Sequence, residues 1–288
     1  MRNKDWSLVF FTLLSQLSVG IVLWLALLAV FFTGTSLSFE TGFSPINPVS
    51  IALGLIVIAT VSSFLHLGNP SNAPNALNNL SGSWLSREIL AINVYVLSLL
   101  ATMLFGRYSA NSEAMTYMLL LSSLAGLVLL WMMVRVYAIP TIPSWNSWYT
   151  PLSFGASTIC LGLLALLMFQ HTGVVHVDSQ TRIGLTVLLM LILLIEVASA
   201  LFNQLKLEKM HTGIDGPVFD RGAFHTMFLL RAGMLITAFV LVFVFIVNPA
   251  ALPGNSGHTW LYAMLALIIA AQITGRVLFY ASYFRLGV

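Results

Sequence analysis

The sequence predicts an all-α integral membrane protein with eight transmembrane helices packed as two four-helix bundles, and three observations carry that reading. Of the 288 residues, 59% are apolar and only 7% charged, where an ordinary soluble domain carries about 25% charged residues. Between clusters of turn residues run apolar stretches of roughly 20 positions or more, the length that crosses about 30 Å of hydrocarbon at about 1.5 Å per helical residue. No polar–apolar alternation runs through them, which excludes a β-barrel. Four helices in each half permit a paired-bundle packing, although no internal repeat relates the halves. The connections are short, so residues 1–288 read as a single polytopic membrane domain with no extramembrane domain.

Met1-Arg-Asn-Lys4 before an apolar run resembles a signal peptide, but the run continues from Leu8 to about Phe32 without a small-residue cleavage site. It is therefore the first span, about 8–33, and Thr33-Gly34-Thr35 ends it. Pro45-Ile46-Asn47-Pro48 opens the second, about 47–66. The connection 67–85 that follows holds five asparagines and two prolines without a single charge, a composition able to pack against a helix bundle. The third span, about 86–105, stops at Gly106-Arg107, and the fourth, about 115–138, stops at Ile139-Pro140 to Pro143. Spans five (150–170) and six (182–205) are bounded by Gly173 and by Gly213 to Pro217. Spans seven (225–247) and eight (259–283) are separated by Asn248-Pro249 to Gly257.

An even number of spans puts both termini on one face, together with the connections 67–85, 139–149 and 206–224. That face collects Arg2, Lys4, Lys206, Lys209, Arg221 and Arg285, with Arg87 and Arg135 at its helix ends, whereas the opposite loops offer Arg107 and Arg182. By the positive-inside rule it faces the cytoplasm. The same cations also suit the docking of an acidic partner. Cys160 is the only cysteine and sits in a predicted helix, so there is neither a disulfide framework nor a thiolate cluster for zinc or iron–sulfur. Any redox centre must come from elsewhere.

Ionisable residues inside a span cost about 2.5–3.5 kcal/mol at the bilayer centre, so each calls for an explanation. His66 ends span two, Arg87 and Glu88 open span three, Arg135 and Tyr137 close span four, Arg231 lies two turns into span seven, and Arg276 and Tyr280 lie near the end of span eight. Alternating helix directions bring all of them to similar depth near the cationic face. Such a cluster can line a lipid-accessible pocket, with carboxylate and imidazole as proton acceptors and arginines fixing a polar head. A single arginine at a helix end more often snorkels to its own interface. Glu88 resists that explanation, because a carboxylate cannot reach far and Arg87 points about 100° away round the helix. His66 can be satisfied by a backbone carbonyl or water, but beside Glu88 it can share and pass protons near neutral pH.

Glu196 lies mid-span in helix six, either paired with a buried polar group such as Gln16 of span one or part of a proton path. A haem is not expected: His171, His176, His211 and His258 fall in predicted loops, and His66 and His225 at helix ends. Two other classes compete with such a lipid-accessible site, namely a secondary transporter and a purely structural anchor. A transporter places its site at the midplane, where only Glu196 lies, and a cluster in one leaflet favours a lipid-soluble substrate.

Trp131-Met-Met-Val-Arg-Val-Tyr137, followed by Pro143-Ser-Trp145 and Thr150-Pro151, resembles the membrane-anchor subunit family of bacterial dimethyl sulfoxide reductase, the DmsC family. Leu65-His-Leu-Gly68 with Pro70, Glu88, Gln16, and Gly275-Arg276 with Phe279-Tyr280 extend the likeness along the sequence; the loops and span six match poorly. The resemblance implies an eight-helix anchor without haem or metal that oxidises menaquinol, an exchangeable substrate. Electrons would pass to an iron–sulfur subunit and on to a molybdopterin catalytic subunit, a heterotrimer serving anaerobic respiration. His66 and Glu88 match the histidine and glutamate implicated in quinol oxidation. Arg135, Tyr137, Arg276, Tyr280, Arg231 and Gln16 become candidates for binding or orienting the quinol, and Arg276 and Arg135 for holding Glu88 ionised. Glu196 has no counterpart in the family, and Gln272 stands where the family carries an acid. The twin-arginine export of related molybdoenzymes would put the partners outside, against the charge count, so the resemblance leaves their compartment open. The terminal acceptor is chosen by the catalytic subunit.

Overall fold

The computed structural model describes residues 3–31, 47–64, 78–108, 112–211, 221–247 and 255–283, without the side chains of 3–5, 112, 209–211, 221 and 255–258. The described residues form eight helices and no strand: α1 (Asn3–Phe31), α2 (Pro48–Phe64), α3 (Trp84–Tyr108), α4 (Ser112–Tyr137), α5 (Tyr149–His171), α6 (Ser179–His211), α7 (Arg221–Val247) and α8 (Asn255–Ala281). Seven are long and apolar enough to cross a membrane; α2, with 17 residues, is a shorter apolar helix. Helices are the local solution because hydrocarbon offers a backbone no partners, and a helix satisfies its N–H and C=O groups within itself.

The outward faces confirm which solvent these helices suit. Along α6, Leu185, Leu189, Ile192, Glu196, Ala200 and Leu207 form the buried stripe, while Val187, Leu191, Leu194, Leu201, Phe202 and Leu205 are exposed. A surface helix in water would carry charges on that second face. Here both faces are apolar and lipid is the matching environment.

Each apolar stretch expected from the sequence corresponds to one helix: α3, α5 and α6 run past both expected ends, whereas α4 stops at Tyr137 and α8 at Ala281, short of 138 and 283, and residues 32–33 and 65–66 of the first two spans lie outside the described residues. The largest extension is at α6, which continues to His211 through the region expected to be loop. Leu207 is buried and Gln204 Nε2 donates to Glu208 Oε1 at 3.1 Å one turn on, and no helix breaker occurs before Gly213. His171, His211 and His258 therefore belong to helices, contrary to the loop placement expected for them. Gly173 does end α5: with φ +74° it donates to Gln170 O while Val174 donates to Phe169 O, the paired bonds of a Schellman cap. Asp178 caps α6 by accepting from the Thr181 backbone N–H at 2.8 Å, and with the Thr181 hydroxyl this holds its carboxyl below the usual range.

The chain divides into two units, but not into two sets of four helices. Unit 1 comprises Met1–Tyr137 and Ser157–Thr181, and unit 2 comprises Ala138–Ala156 and Arg182–Val288. Helix α5 thus gives its first two turns to unit 2 and the rest to unit 1. Within unit 1, α1 packs on α2 and α4, and α3 packs on α2 and α4. The α1–α5 contact is backbone to backbone: a Cβ built on Gly20 would lie 2.8 Å from Gly162 Cα, closer than side-chain atoms approach. Trp24 Nε1 spans the same contact by donating to Ile159 O at 3.0 Å.

Polar bonds fix three helices of unit 1 around Tyr95, which is fully buried. Ser18 Oγ on α1 donates to Ala52 O on α2 at 2.7 Å, so the Tyr95 hydroxyl on α3 donates to Ser18 Oγ at 3.0 Å. Tyr95→Phe removes one donor and leaves the Ser18 bond to Ala52 in place. The expected loss is about 1 kcal/mol, read as a small drop in the thermal unfolding midpoint in detergent. A drop as large as that of a core truncation would show that the ring itself had moved.

In unit 2, α7 packs on α8, and Ala200, Leu207, Phe224, Phe228 and Leu278 form a core among α6, α7 and α8. The connection before α5 is pinned to the end of α8. Trp145 donates from Nε1 to Phe279 O at 2.8 Å, stacks on Phe279 with ring centroids 5.6 Å apart, and meets Tyr283 at 5.0 Å.

Candidate functional site

The structure distributes the candidate residues between the two units. Gln16, Glu88, Arg135 and Tyr137 belong to unit 1, and Arg231, Arg276 and Tyr280 to unit 2. His66 lies outside the described residues.

In unit 1, Glu88 sits in the second turn of α3 on the face that also buries Ala91, Ile92 and Tyr95, and only 5% of it is exposed. Trp84 precedes it by four residues and so shares its face. Two guanidinium groups rest on that indole, Arg87 at 4.2 Å from the ring centroid and Arg135, from the end of α4, at 4.5 Å. Arg87 is further tied to the preceding turn, donating from Nε to Leu80 O at 2.7 Å and from Nη2 to Ser81 O at 2.8 Å. The expected ion pair of Arg135 with Glu88 is not formed, because the Arg135 guanidinium lies over Trp84 instead. Among the described residues Glu88 has no hydrogen-bond or ion-pair partner. A carboxyl group in that position is shielded from water. Gln16 is fully buried on α1, and Tyr137 is buried where α4 ends.

In unit 2 a second set of polar groups is buried, and here the carboxylate has its counter-charge. Glu196 on α6 forms an ion pair with Arg231 on α7, Oε2 to Nη2 at 3.3 Å. Gln272 on α8 donates from Nε2 to Glu196 Oε1 at 2.7 Å, and Arg231 donates from Nη1 to the Tyr149 hydroxyl oxygen at 3.0 Å. Glu196 and Arg231 are 2% and 4% exposed. The expected structural pairing of Glu196 is thus formed with Arg231 and Gln272, and not with Gln16. Gly275 makes the room: a Cβ there would lie 2.6 Å from Arg231 Cζ. Arg276, one turn beyond Gln272, is buried with its guanidinium 3.9 Å from the centroid of the Phe154 ring and 5.6 Å from that of Phe279. Tyr280 is buried beside Trp145 and Phe279, with centroids at 6.2 Å and 5.3 Å.

Sequence reasoning missed Trp84 and Tyr149. Each stands next to a motif that had been singled out, Trp84 one turn before Glu88 and Tyr149 immediately before Thr150-Pro151. An aromatic residue at a membrane interface carries too common a signal to reveal a cation above its ring. No group of three or more His, Cys, Asp or Glu among the described residues is placed to hold a metal ion, and Cys160 is buried in α5.

Residues 1–282 match the family model described as DMSO reductase anchor subunit (DmsC). The protein is similar to the C subunit of the anaerobic dimethyl sulfoxide reductase of Escherichia coli (strain K12), 27% identical over 288 residues that cover 98% of this sequence and 96% of the relative. It is also similar to the corresponding C subunit of Haemophilus influenzae, 27% identical over 97% of this sequence and 95% of that one. A further relative in Escherichia coli (strain K12), the anaerobic dimethyl sulfoxide reductase subunit YnfH, is 27% identical over 98% of this sequence and 96% of its own length.

Proposed function

This chain belongs to the DMSO reductase anchor subunit (DmsC) family, and from that premise we propose that it oxidises menaquinol in the bacterial cytoplasmic membrane, with α2 completing eight spans. The electrons go to an iron–sulfur subunit, which feeds a molybdopterin catalytic subunit in a three-subunit complex. The observation that carries this reading is Glu88: a carboxylate buried in the second turn of α3, without a counter-charge among the described residues.

A quinol gives up two electrons and two protons. Glu88 accepts a proton from one quinol hydroxyl, and His66 of the Leu65-His-Leu-Gly68 motif serves the other. Arg135, with Tyr137 and Gln16 of the same unit, binds and orients the quinol. Both electrons leave through the partner's cluster, because this sequence has a single cysteine and offers no thiolate set of its own. The ion pair of Glu196 with Arg231 supports the same reading against a transporter, since it fixes the one carboxylate at mid-span in a structural role.

The test is steady-state oxidation of a menaquinol analogue by membranes that carry the complex, with Glu88→Gln compared at equal amounts of bound partner subunits. Loss of a positioned proton acceptor is expected to lower turnover by about 100-fold or more. Turnover equal to wild type removes Glu88 from the reaction and leaves a structural anchor as the better account.

A further inference from the structure

A small cleft in unit 2 lies beside the ion-pair network and has no part in the site built on Glu88. Its lining includes Ser144, Tyr149, Arg231, Phe224, Phe228 and Phe279, and its interior has room for about one water-sized group, ~20 Å³. Beside the amides of Asn203 and Gln204 and the hydroxyl of Ser282, three of its polar groups have a donor to give. Arg231 Nε and Ser144 Oγ are buried and make no hydrogen bond to a described residue, and Ser144 as a whole is 4% exposed. The Tyr149 hydroxyl oxygen accepts from Arg231 Nη1, which leaves its own proton to be given to something else. Buried donors of this kind cost about 1–3 kcal/mol each while unsatisfied, so the arrangement calls for an acceptor oxygen.

The charge of Arg231 is already matched by Glu196, so the acceptor is an uncharged one. Its carrier is apolar, because three phenylalanines wall the cleft. We propose that this cleft is a second ligand site, in which Ser144, Tyr149 and Arg231 hold the carbonyl oxygen of a membrane amphiphile whose body lies along Phe224, Phe228 and Phe279. A quinone ring carbonyl and a phospholipid ester carbonyl present the same chemistry.

The experiment is photo-crosslinking of the full-length protein in nanodiscs, with peptides mapped by mass spectrometry. One arm uses a photoreactive naphthoquinone and the other a photoreactive phosphatidylethanolamine. Saturable labelling of the peptides around Phe224 and Phe228 by either probe is expected, and the arm that labels identifies the source. Ser144→Ala adds no volume and leaves the fold intact; it is expected to weaken apparent affinity about fivefold, the equivalent of one hydrogen bond. Gly275→Ala displaces the Arg231 guanidinium and is expected to abolish labelling. Labelling that persists in Glu88→Gln marks the site as separate from the quinol site. Absence of labelling with both probes, labelling unaffected by Ser144→Ala and Gly275→Ala, or its loss in Glu88→Gln each overturns the proposal.

Discussion

Replacing Arg231 by methionine is expected to destabilise the protein by about 3–5 kcal/mol, because it leaves Glu196 as an uncompensated charge inside a helix bundle. The side chains have similar length, so packing against Gly275 changes little and the effect is electrostatic. Gln272 still donates to Glu196, but one amide hydrogen bond does not replace a guanidinium. The double replacement Arg231→Met with Glu196→Leu removes both charges and is expected to recover most of the loss, as buried pairs exchanged for apolar side chains often do. Thermal unfolding of the four proteins of that cycle in one detergent measures the coupling directly. Additive losses would mean that the 3.3 Å contact contributes nothing.

Gly162→Leu is expected to be equally damaging for a different reason. A Cβ at this position would lie 2.5 Å from Gly20 Cα, so the obstacle is backbone and no rotamer change relieves it. Helices α1 and α5 must separate, which also breaks the bond from Trp24 to Ile159 O. Overpacking inside a core costs about 1–3 kcal/mol when side chains can adjust. Here they cannot, and a loss above that range is expected, with Gly162→Ala intermediate. The readout is the fraction of monodisperse, folded protein extracted from membranes, and a Gly162→Leu variant as stable as wild type would contradict the backbone contact.

Such effects also mark what the sequence could and could not reveal. The helices were legible because apolar length and turn residues act locally: Gly173 ends α5 through its own positive φ. Where the reading failed, an element continued without a local signal to stop it, as α6 does past Lys206. The equal bundles expected from four spans in each half gave way because Gly20 and Gly162 draw most of α5 into unit 1. Sequence position placed polar residues near helix ends but could not show which partner each one chose. Arg135 went to Trp84 instead of Glu88, and Glu196 to Arg231 instead of Gln16, because those choices are made by side chains on separate helices. The pairing of Glu88 with His66 is a proposal drawn from their sequence positions and from the family resemblance.

That quinol is oxidised where Glu88 accepts its proton is the central claim, and stopped-flow reduction of the partner's iron–sulfur centres tests it most directly. Intact wild-type and Glu88→Gln complexes are mixed with a menaquinol analogue, and cluster reduction is followed over a single turnover. Reduction slowed by about 100-fold or more in Glu88→Gln, with the same clusters still reducible by dithionite, is the result expected of a proton acceptor at the site of oxidation. Equal rates in the two complexes would place the oxidation of quinol elsewhere and contradict the account.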